Sequence, residues 1–416
     1  MNPMNVSRVF AYLMALALTA CGASNSNEGS ASIIDGSGAP VPDIAVAGPI
    51  GGFGSVIVEG VHYQTDGASI YIDGEPANEQ DLNLGDFISI QASYDKSTQT
   101  YSAKVILAET SVQGEVQAID AERGEVMVLG QRISIEGETV FDEQFSLRGI
   151  AAIKIGDRIK VSGGSDGSGR IYATRISANP VSEASFAGYV VRLDHTAMTF
   201  ELNGALVDYS VAGFAGYLRQ YDWITVTGAF NDSGERFIAT HIRSQQGPLP
   251  YSAGAQVRIE GLVENVYEGG FTLQGSPVRY SSATTVEGGR ISDVKVGIKI
   301  ALEGSQDNQR TIIAKRIRLI PNGFTEIYGA IERIDLDSAD KFKRIETGTL
   351  VVGGKTIALD RRTIIGGFDG RRARLEEVRI GDNVYISAMP ANAEGVYFAR
   401  LLELGWRKGF MGERDT

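Results

Sequence analysis

Apolar and polar residues alternate with a period of two through most of the chain, most plainly where Ile159 and Val161 oppose Arg158, Lys160 and Ser162. That is the spacing of a half-buried strand. The glycine-rich stretch from Gly164 to Gly169 can reverse the chain, and Ile171 to Ile176 then returns as the second strand of a hairpin. The unit recurs. Gly85 with Ala92, Gly156 with Gly163, Tyr221 with Gly228, Gly297 with Gly304 and Gly381 with Ala388 are each seven residues apart. Each pair is followed by an alanine and, three residues later, an aliphatic: Ala103/Ile106, Ala173/Ile176, Ala239/Ile242, Ala314/Ile317 and Ala399/Leu402. Five matches at one register identify an internal repeat.

Around this unit the pattern predicts an early strand with a glycine at Gly114, Gly188, Gly261 or Gly329, and a hairpin turning near Gly60, Gly130, Gly204, Gly275 or Gly353-Gly354. A spaced apolar segment follows, such as Ile291/Val294/Val296, which suits a helical turn running into a strand. Five strands with a short helix between the third and fourth is the order of an OB-like barrel. The fold expected is therefore all-β, a tandem array of about five small five-stranded OB-like barrels at residues 45–109, 110–178, 184–244, 256–320 and 325–404, with a tail at 405–416. A continuous β-solenoid or open sandwich repeats would share the same periodicity. Prolines at 180, 248, 250 and 321 fall at the joints and predict short stiff linkers, hence an elongated rod. The junction at Thr110 has neither proline nor glycine, so the first two copies are expected to form a rigid pair.

The N-terminus changes the picture. Residues 1–20 carry Arg8, an apolar run from Val9 to Leu18, and then Leu18-Thr19-Ala20-Cys21. The run is too short to span a bilayer, and it resembles a bacterial lipoprotein signal. That resemblance implies cleavage before Cys21, a diacylglycerol on its sulfur, and, with Gly22 rather than aspartate following, the outer membrane. Cys21 is the only cysteine, so no intrachain disulfide is available. Residues 21–44 are rich in Gly, Ser, Asn and Ala and read as a flexible tether. Loss of Arg8 with the signal leaves 38 basic against 51 acidic residues, an acidity that disfavours nucleic acid as a partner.

Gly51-Gly52-Phe53-Gly54-Ser55-Val56, Gly60-Val61-His62-Tyr63, Leu84-Gly85-Asp86 and the recurring Gly-Asp…Gly…Ala-x-x-Ile pattern together resemble the bacterial, often lipid-anchored proteins built from tandem copies of domain of unknown function 5666. The resemblance spans residues 45 to 404. It implies an envelope location and repeat architecture, and no reaction. Tyr221 departs from it at a glycine position and Ile298 at an aspartate position. An aspartate that one copy lacks is not a shared catalytic group.

Candidate chemistry is sparse. Gly163-Gly164-Ser165-Asp166-Gly167 matches G-x-S-x-G but falls in a hairpin rather than a strand-to-helix elbow. His62, His195 and His241 lie in three different copies, as structural or surface residues. The acidic run Asp335 to Asp340 lacks the glycine and distal glutamate of a calcium loop. Two groups suit ligand binding. Arg361, Arg362, Arg371, Arg372 and Arg374 could grip an acidic glycan, a lipid headgroup or an acidic protein face, against the simpler reading of a solvated loop. Tyr217, Tyr221 and Trp223 could stack on a sugar, against core or edge packing. No copy holds a convergent acid, base and nucleophile, and no cofactor is implied. The expectation is a non-catalytic outer-membrane lipoprotein, a rod that binds or spaces a protein or glycan partner. The alternatives are an enzyme acting on an envelope polymer, or a weak metal- or anion-binding module.

Overall fold

Each repeat closes into a barrel because its first strand is long enough to pair on both edges, bending at a bulge inside its pairing with the second strand. The computed structural model describes residues 44–145, 149–166, 168–180, 182–214, 216–244, 254–321, 323–336, 347–367 and 372–405. Barrel 1 comprises β1 (Ile44–Gly52), β2 (Val56–Val58), β3 (Val61–Gln64), β4 (Ser69–Ile72), β5 (Glu75–Ala77), β6 (Phe87–Asp95) and β7 (Thr100–Ala108). Barrel 2 comprises β8 (Val112–Asp120), β9 (Glu125–Val128), β10 (Gln131–Phe141), β11 (Arg158–Ser165) and β12 (Arg170–Ala178). Barrel 3 has β13 (Ser185–Asp194), β14 (Thr199–Leu202), β15 (Ala205–Asp208), β16 (Trp223–Phe230) and β17 (Phe237–Ser244). Barrel 4 has β18 (Gln256–Tyr267), β19 (Gly270–Leu273), β20 (Ser276–Arg279), β21 (Thr285–Glu287), β22 (Lys299–Gln306) and β23 (Ile312–Ile320). Barrel 5 has β24 (Thr325–Leu336), β25 (Gly348–Val352), β26 (Lys355–Leu359), β27 (Ile364–Gly367), β28 (Asn383–Met389) and β29 (Val396–Leu404).

In barrel 2, β8 pairs antiparallel with β9 and β11, β9 with β10, β10 runs parallel to β12, and β11 and β12 form the closing hairpin. The other four repeat this order, which is that of an OB barrel. Short 3-10 turns stand before the fourth strand in barrels 1, 2, 4 and 5, at Glu79–Asp81, Gly149–Ala152, Ile291–Asp293 and Leu375–Glu377. Barrel 3 has none among the described residues. Apolar residues of alternate strand positions fill each interior, as Val116, Val128, Ile133, Ile159 and Ile176 do in barrel 2.

The repeat signature is a set of turns and bulges. The leading glycine takes a left-handed φ, +79° at Gly85 and +89° at Gly156, and its N–H donates to the first strand, from Gly85 to Ile50 O at 2.8 Å and from Gly156 to Val116 O at 2.9 Å. The aspartate beside it accepts from the backbone N–H three residues earlier, as in Asp86 from Asn83 and Asp157 from Lys154, both at 2.7 Å. Its role is turn closure. The small residue seven positions on sits at a bulge in the fourth strand, between Ser162 and Gly163, Thr227 and Gly228, and Glu303 and Gly304. A β-carbon on Gly163 would strike the Tyr172 carbonyl oxygen, so barrel 2 requires glycine there, whereas barrels 1 and 5 accommodate Ala92 and Ala388 at the same bulge.

Gly85 and Gly156 also offer a matched comparison. A β-carbon on Gly85 would lie 2.6 Å from Thr174 O and 3.0 Å from Val140 of barrel 2, whereas one on Gly156 meets nothing within 4 Å. Gly156→Ala is expected to cost about 1 kcal/mol of backbone strain, and Gly85→Ala about 2–3 kcal/mol because the barrel contact must also give. Chemical denaturation midpoints of the two variants check the difference.

The barrels do not form the expected rod. β1 of barrel 1 pairs in parallel with β18 of barrel 4, Ile44 opposite Gln256 through Ala47 opposite Ile259. β8 pairs with β13, and barrel 5 packs through β27 on β1 and through β28 and β29 on β10. Pro180 and Pro321 follow β12 and β23 without separating bodies, because outer faces of the sheets carry apolar side chains such as Ala45, Ala47, Phe87 and Tyr172 that pack against barrel 4; Pro248 and Pro250 lie outside the described residues. At the first junction Thr110 is buried and donates twice to Asp73, N–H at 2.7 Å and Oγ1 at 2.8 Å, while Lys160 of barrel 2 meets the same carboxylate at 2.8 Å.

Candidate functional site

Two clusters of polar side chains stand out, one buried between barrels and one open to solvent. The buried cluster lies where barrels 1, 2, 4 and 5 meet. Arg400 of β29 points out of its own barrel, 5% exposed, with Nε 3.1 Å from Glu138 and Nη2 3.5 Å from Glu260 and 3.8 Å from Glu59. Lys299 of β22 pairs with Glu138 and, at 3.0 Å, with Glu136, its Nζ 4.8 Å from the Tyr172 ring centre; Arg318 pairs with Glu59. Four carboxyls thus face three cations. Glu260 is 1% exposed and its Oε1 meets no donor, while its carboxyl hydrogen-bonds that of Glu59. Two acceptors can share a hydrogen bond only if one carries the proton.

The proton belongs to Glu260. Burial raises its carboxyl well above the usual range, the Glu59 charge adds to this, and Arg400 opposes it. Burial also raises Glu59, but the hydrogen bond from Glu260 and the charges of Arg318 and Arg400 outweigh it and hold that carboxyl at about 2. Lys299 and Arg400 do the same for Glu138, also at about 2 against burial. With Glu260 neutral, three anions balance three cations. Shifts of this size mark active sites and buried ion networks alike; here every charge is met by a partner from another barrel, so the cluster joins barrels.

The arginine group is largely drawn into the same assembly. Arg372 lies over the Phe53 ring at 3.4 Å and donates to Glu79 O at 2.6 Å and Leu82 O at 2.7 Å, all in barrel 1. Arg361 packs against Gly60. Arg362 pairs with Asp360 at 2.7 Å and lines a cleft of about 370 Å³ between barrels 4 and 5, together with Arg318, Arg400 and Phe398. Arg374 precedes the last 3-10 turn, and Arg371 and Cys21 lie outside the described residues. The described arginines of the group thus serve separate contacts.

The aromatic group divides as well. Trp223 is half-buried at an interface, edge-on to Tyr189 at 4.7 Å, and Tyr189 Oη donates to Gln274 O of barrel 4 at 3.0 Å. Tyr221 stands exposed on the turn, with φ +69° where other copies place glycine. Tyr217 is 72% exposed and stacks on His195, centroids 4.7 Å apart. His195 Nδ1 is 3.2 Å from Tyr209 Oη, and the Tyr209 ring lies 5.5 Å from the buried Phe200. His195, Tyr209 and Tyr217, with Met198 and Phe214, line a groove of about 390 Å³. Its walls are the loop after β13 and the loop between β15 and β16, so a chain of contacts runs from the core of barrel 3 to an exposed ring. His195 and Tyr209 were not expected here. Lone residues on separate loops carry no shared spacing in the sequence.

Ser165 of the G-x-S-x-G match is buried at the end of β11, in a hairpin without an elbow, and Asp337 to Asp340 lie outside the described residues. Among the described residues no group of three or more His, Cys, Asp and Glu side chains is arranged to hold a metal ion.

The family model for domain of unknown function DUF5666 matches residues 45–106, 113–177, 260–318 and 328–403. The chain belongs to the DUF5666 family. The four matched stretches are barrels 1, 2, 4 and 5; barrel 3 keeps the DUF5666 strand order although Tyr221 replaces its turn glycine and its third connection is short. No curated protein matches the chain. Among solved structures, Drosophila Unr CSD456 is similar at 15% identity and a TM-score of 0.14, over 53% of this chain and 97% of that one, and so weak a likeness carries no argument.

Proposed function

We propose that this DUF5666 protein is a non-catalytic binding protein of the cell envelope, anchored at the outer membrane through a lipid on Cys21, with barrel 3 presenting its ligand groove. The observation that carries the reading is the Tyr217 ring, exposed yet held in place by His195 and Tyr209. One wall of the groove, the loop between the first and second strands, also borders the face on which OB barrels take oligomeric ligands. A tyrosine platform offers an apolar face and a polar rim, the chemistry that suits a pyranose ring or an extended side chain of a partner protein. The net charge of −12 directs the choice away from nucleic acid. The buried junction supports the same role by fixing the other four barrels as a base for the third.

The test is titration of the full chain with muropeptides and with lipopolysaccharide core oligosaccharides, followed by chemical shift changes. Binding is expected to perturb the loops lining the groove, and Tyr217→Ala is expected to weaken it by about tenfold, the worth of one stacking contact. Binding elsewhere, or unaltered by Tyr217→Ala, contradicts the reading.

A further inference from the structure

The last strand of every barrel except the third is covered along its outer half by a short parallel segment of its own chain. In barrel 1, β4 sets Ile70 opposite Ile106; in barrel 2, the end of β10 sets Phe141 opposite Ile176. In barrels 4 and 5, β21 sets Val286 opposite Ile317 and β27 sets Ile365 opposite Leu402. The covered aliphatic is in each case the one three residues after the repeat alanine, and each is fully buried. Barrel 3 differs. β15 pairs with β17 only at Phe237 and Ile238, and among the described residues no strand lies along His241–Ser244 on that side. Ile242, the equivalent aliphatic, is left partly exposed, and Thr240 and His241 are exposed beside it.

The cause is a short connection. From the residue paired beside the repeat alanine to the apolar plug before the fourth strand, barrel 3 runs only from Asp208 to Leu218, against Arg279 to Val294 in barrel 4 and Gln64 to Leu82 in barrel 1. The covering strand is what is missing. An unpaired strand edge flanked by a half-exposed aliphatic is a slot for strand addition, and the four filled slots state its requirements: parallel direction and a bulky apolar residue against the aliphatic.

One segment outside the described residues meets them. Ala31-Ser32-Ile33-Ile34-Asp35-Gly36 repeats, one residue shorter, the Ala68-Ser69-Ile70-Tyr71-Ile72-Asp73-Gly74 that fills the slot of barrel 1. We propose that Ser32–Asp35 of the same chain adds to β17 as a parallel strand, Ile33 covering Ile242. The slot adjoins the barrel into which this segment leads, since Arg243 reaches Glu109 of barrel 1 at 3.4 Å. Residues 36–43 extend up to about 28 Å to bridge the remainder. Docking leaves ten residues, 22–31, between Cys21 and the barrels, so it shortens the tether by about half and holds barrel 3 toward the anchor.

Paired strands bring opposed residues within reach of a disulfide. In full chain carrying Cys21→Ser, Ile33→Cys with Ile242→Cys is expected to oxidise to a bridged monomer, while Ser24→Cys with Ile242→Cys stays reduced. Independently, Ile33→Asp is expected to speed amide exchange across His241–Ser244 by about tenfold or more without changing β12. Because that substitution lies outside the barrels, the measurement does not depend on a perturbed core. A bridge formed only between two chains, or no bridge together with unchanged exchange, overturns the proposal.

Discussion

Arg400→Ala is expected to lower the unfolding free energy by about 3–5 kcal/mol, the cost of leaving buried carboxylates without their partner. Arg400 lies within 4 Å of Glu59, Glu138 and Glu260 alike, which come from three other barrels. Its removal strands charge at the junction and also loosens the packing of barrel 5 on barrel 2. Arg123→Ala provides the contrast. Arg123 pairs with Asp120 at 3.0 Å, but its side chain is 76% exposed, so the loss is expected to be within about 0.5 kcal/mol. Urea denaturation of both variants measures the difference, and equal losses would mean that the buried cluster contributes no more than a surface pair.

Glu260→Gln is expected to do the opposite as the medium becomes more alkaline. The Glu260 carboxyl is raised in the folded state from an ordinary value of 4.5, so above that pH the folded chain keeps a proton that the unfolded chain releases. Its contribution is fully present below 4.5 and is lost as the pH rises toward the folded value. Within that window each pH unit weakens the native protein by about 1.4 kcal/mol relative to a variant with no proton to lose. Glutamine keeps the donor that faces Glu59 and cannot ionise. Glu59 and Glu138, lowered to about 2, act in the other direction: their contribution is present above 4.5 and is lost as the pH falls toward 2. Urea midpoints from pH 4 to 9 are therefore expected to diverge upward for Glu260→Gln, starting near pH 5. Parallel curves would show that Glu260 is ionised in the folded protein.

The barrel was legible in the sequence because its determinants are local. The turn glycine, the bulge residue seven positions on and the alanine with its aliphatic each satisfy a constraint within one repeat, and repetition exposes them. The assembly was hidden for the complementary reason. Glu138, Glu260, Lys299 and Arg400 alternate with core residues, as solvent-facing strand positions do, and become buried only when barrels distant in sequence meet. A partial signal existed in apolar residues on outward faces, Ala45, Ala47, Tyr172 and Leu401, which a string of separate barrels would leave exposed. Tyr217 was legible as one of an aromatic group with Tyr221 and Trp223, but its support by His195 and Tyr209 arises from two loops that only the fold brings together. The short third connection, from Asp208 to Leu218, was readable by length alone. Its meaning required the other four barrels to show which strand a longer connection supplies.

The most direct measurement is small-angle X-ray scattering of the full chain at low ionic strength and neutral pH. Five barrels packed around the charged junction give a radius of gyration of about 22 Å, whereas five such barrels end to end give about 40 Å. A value near the first is expected, rising in Arg400→Ala as barrel 5 detaches; a value near the second in the native protein would contradict the packed assembly.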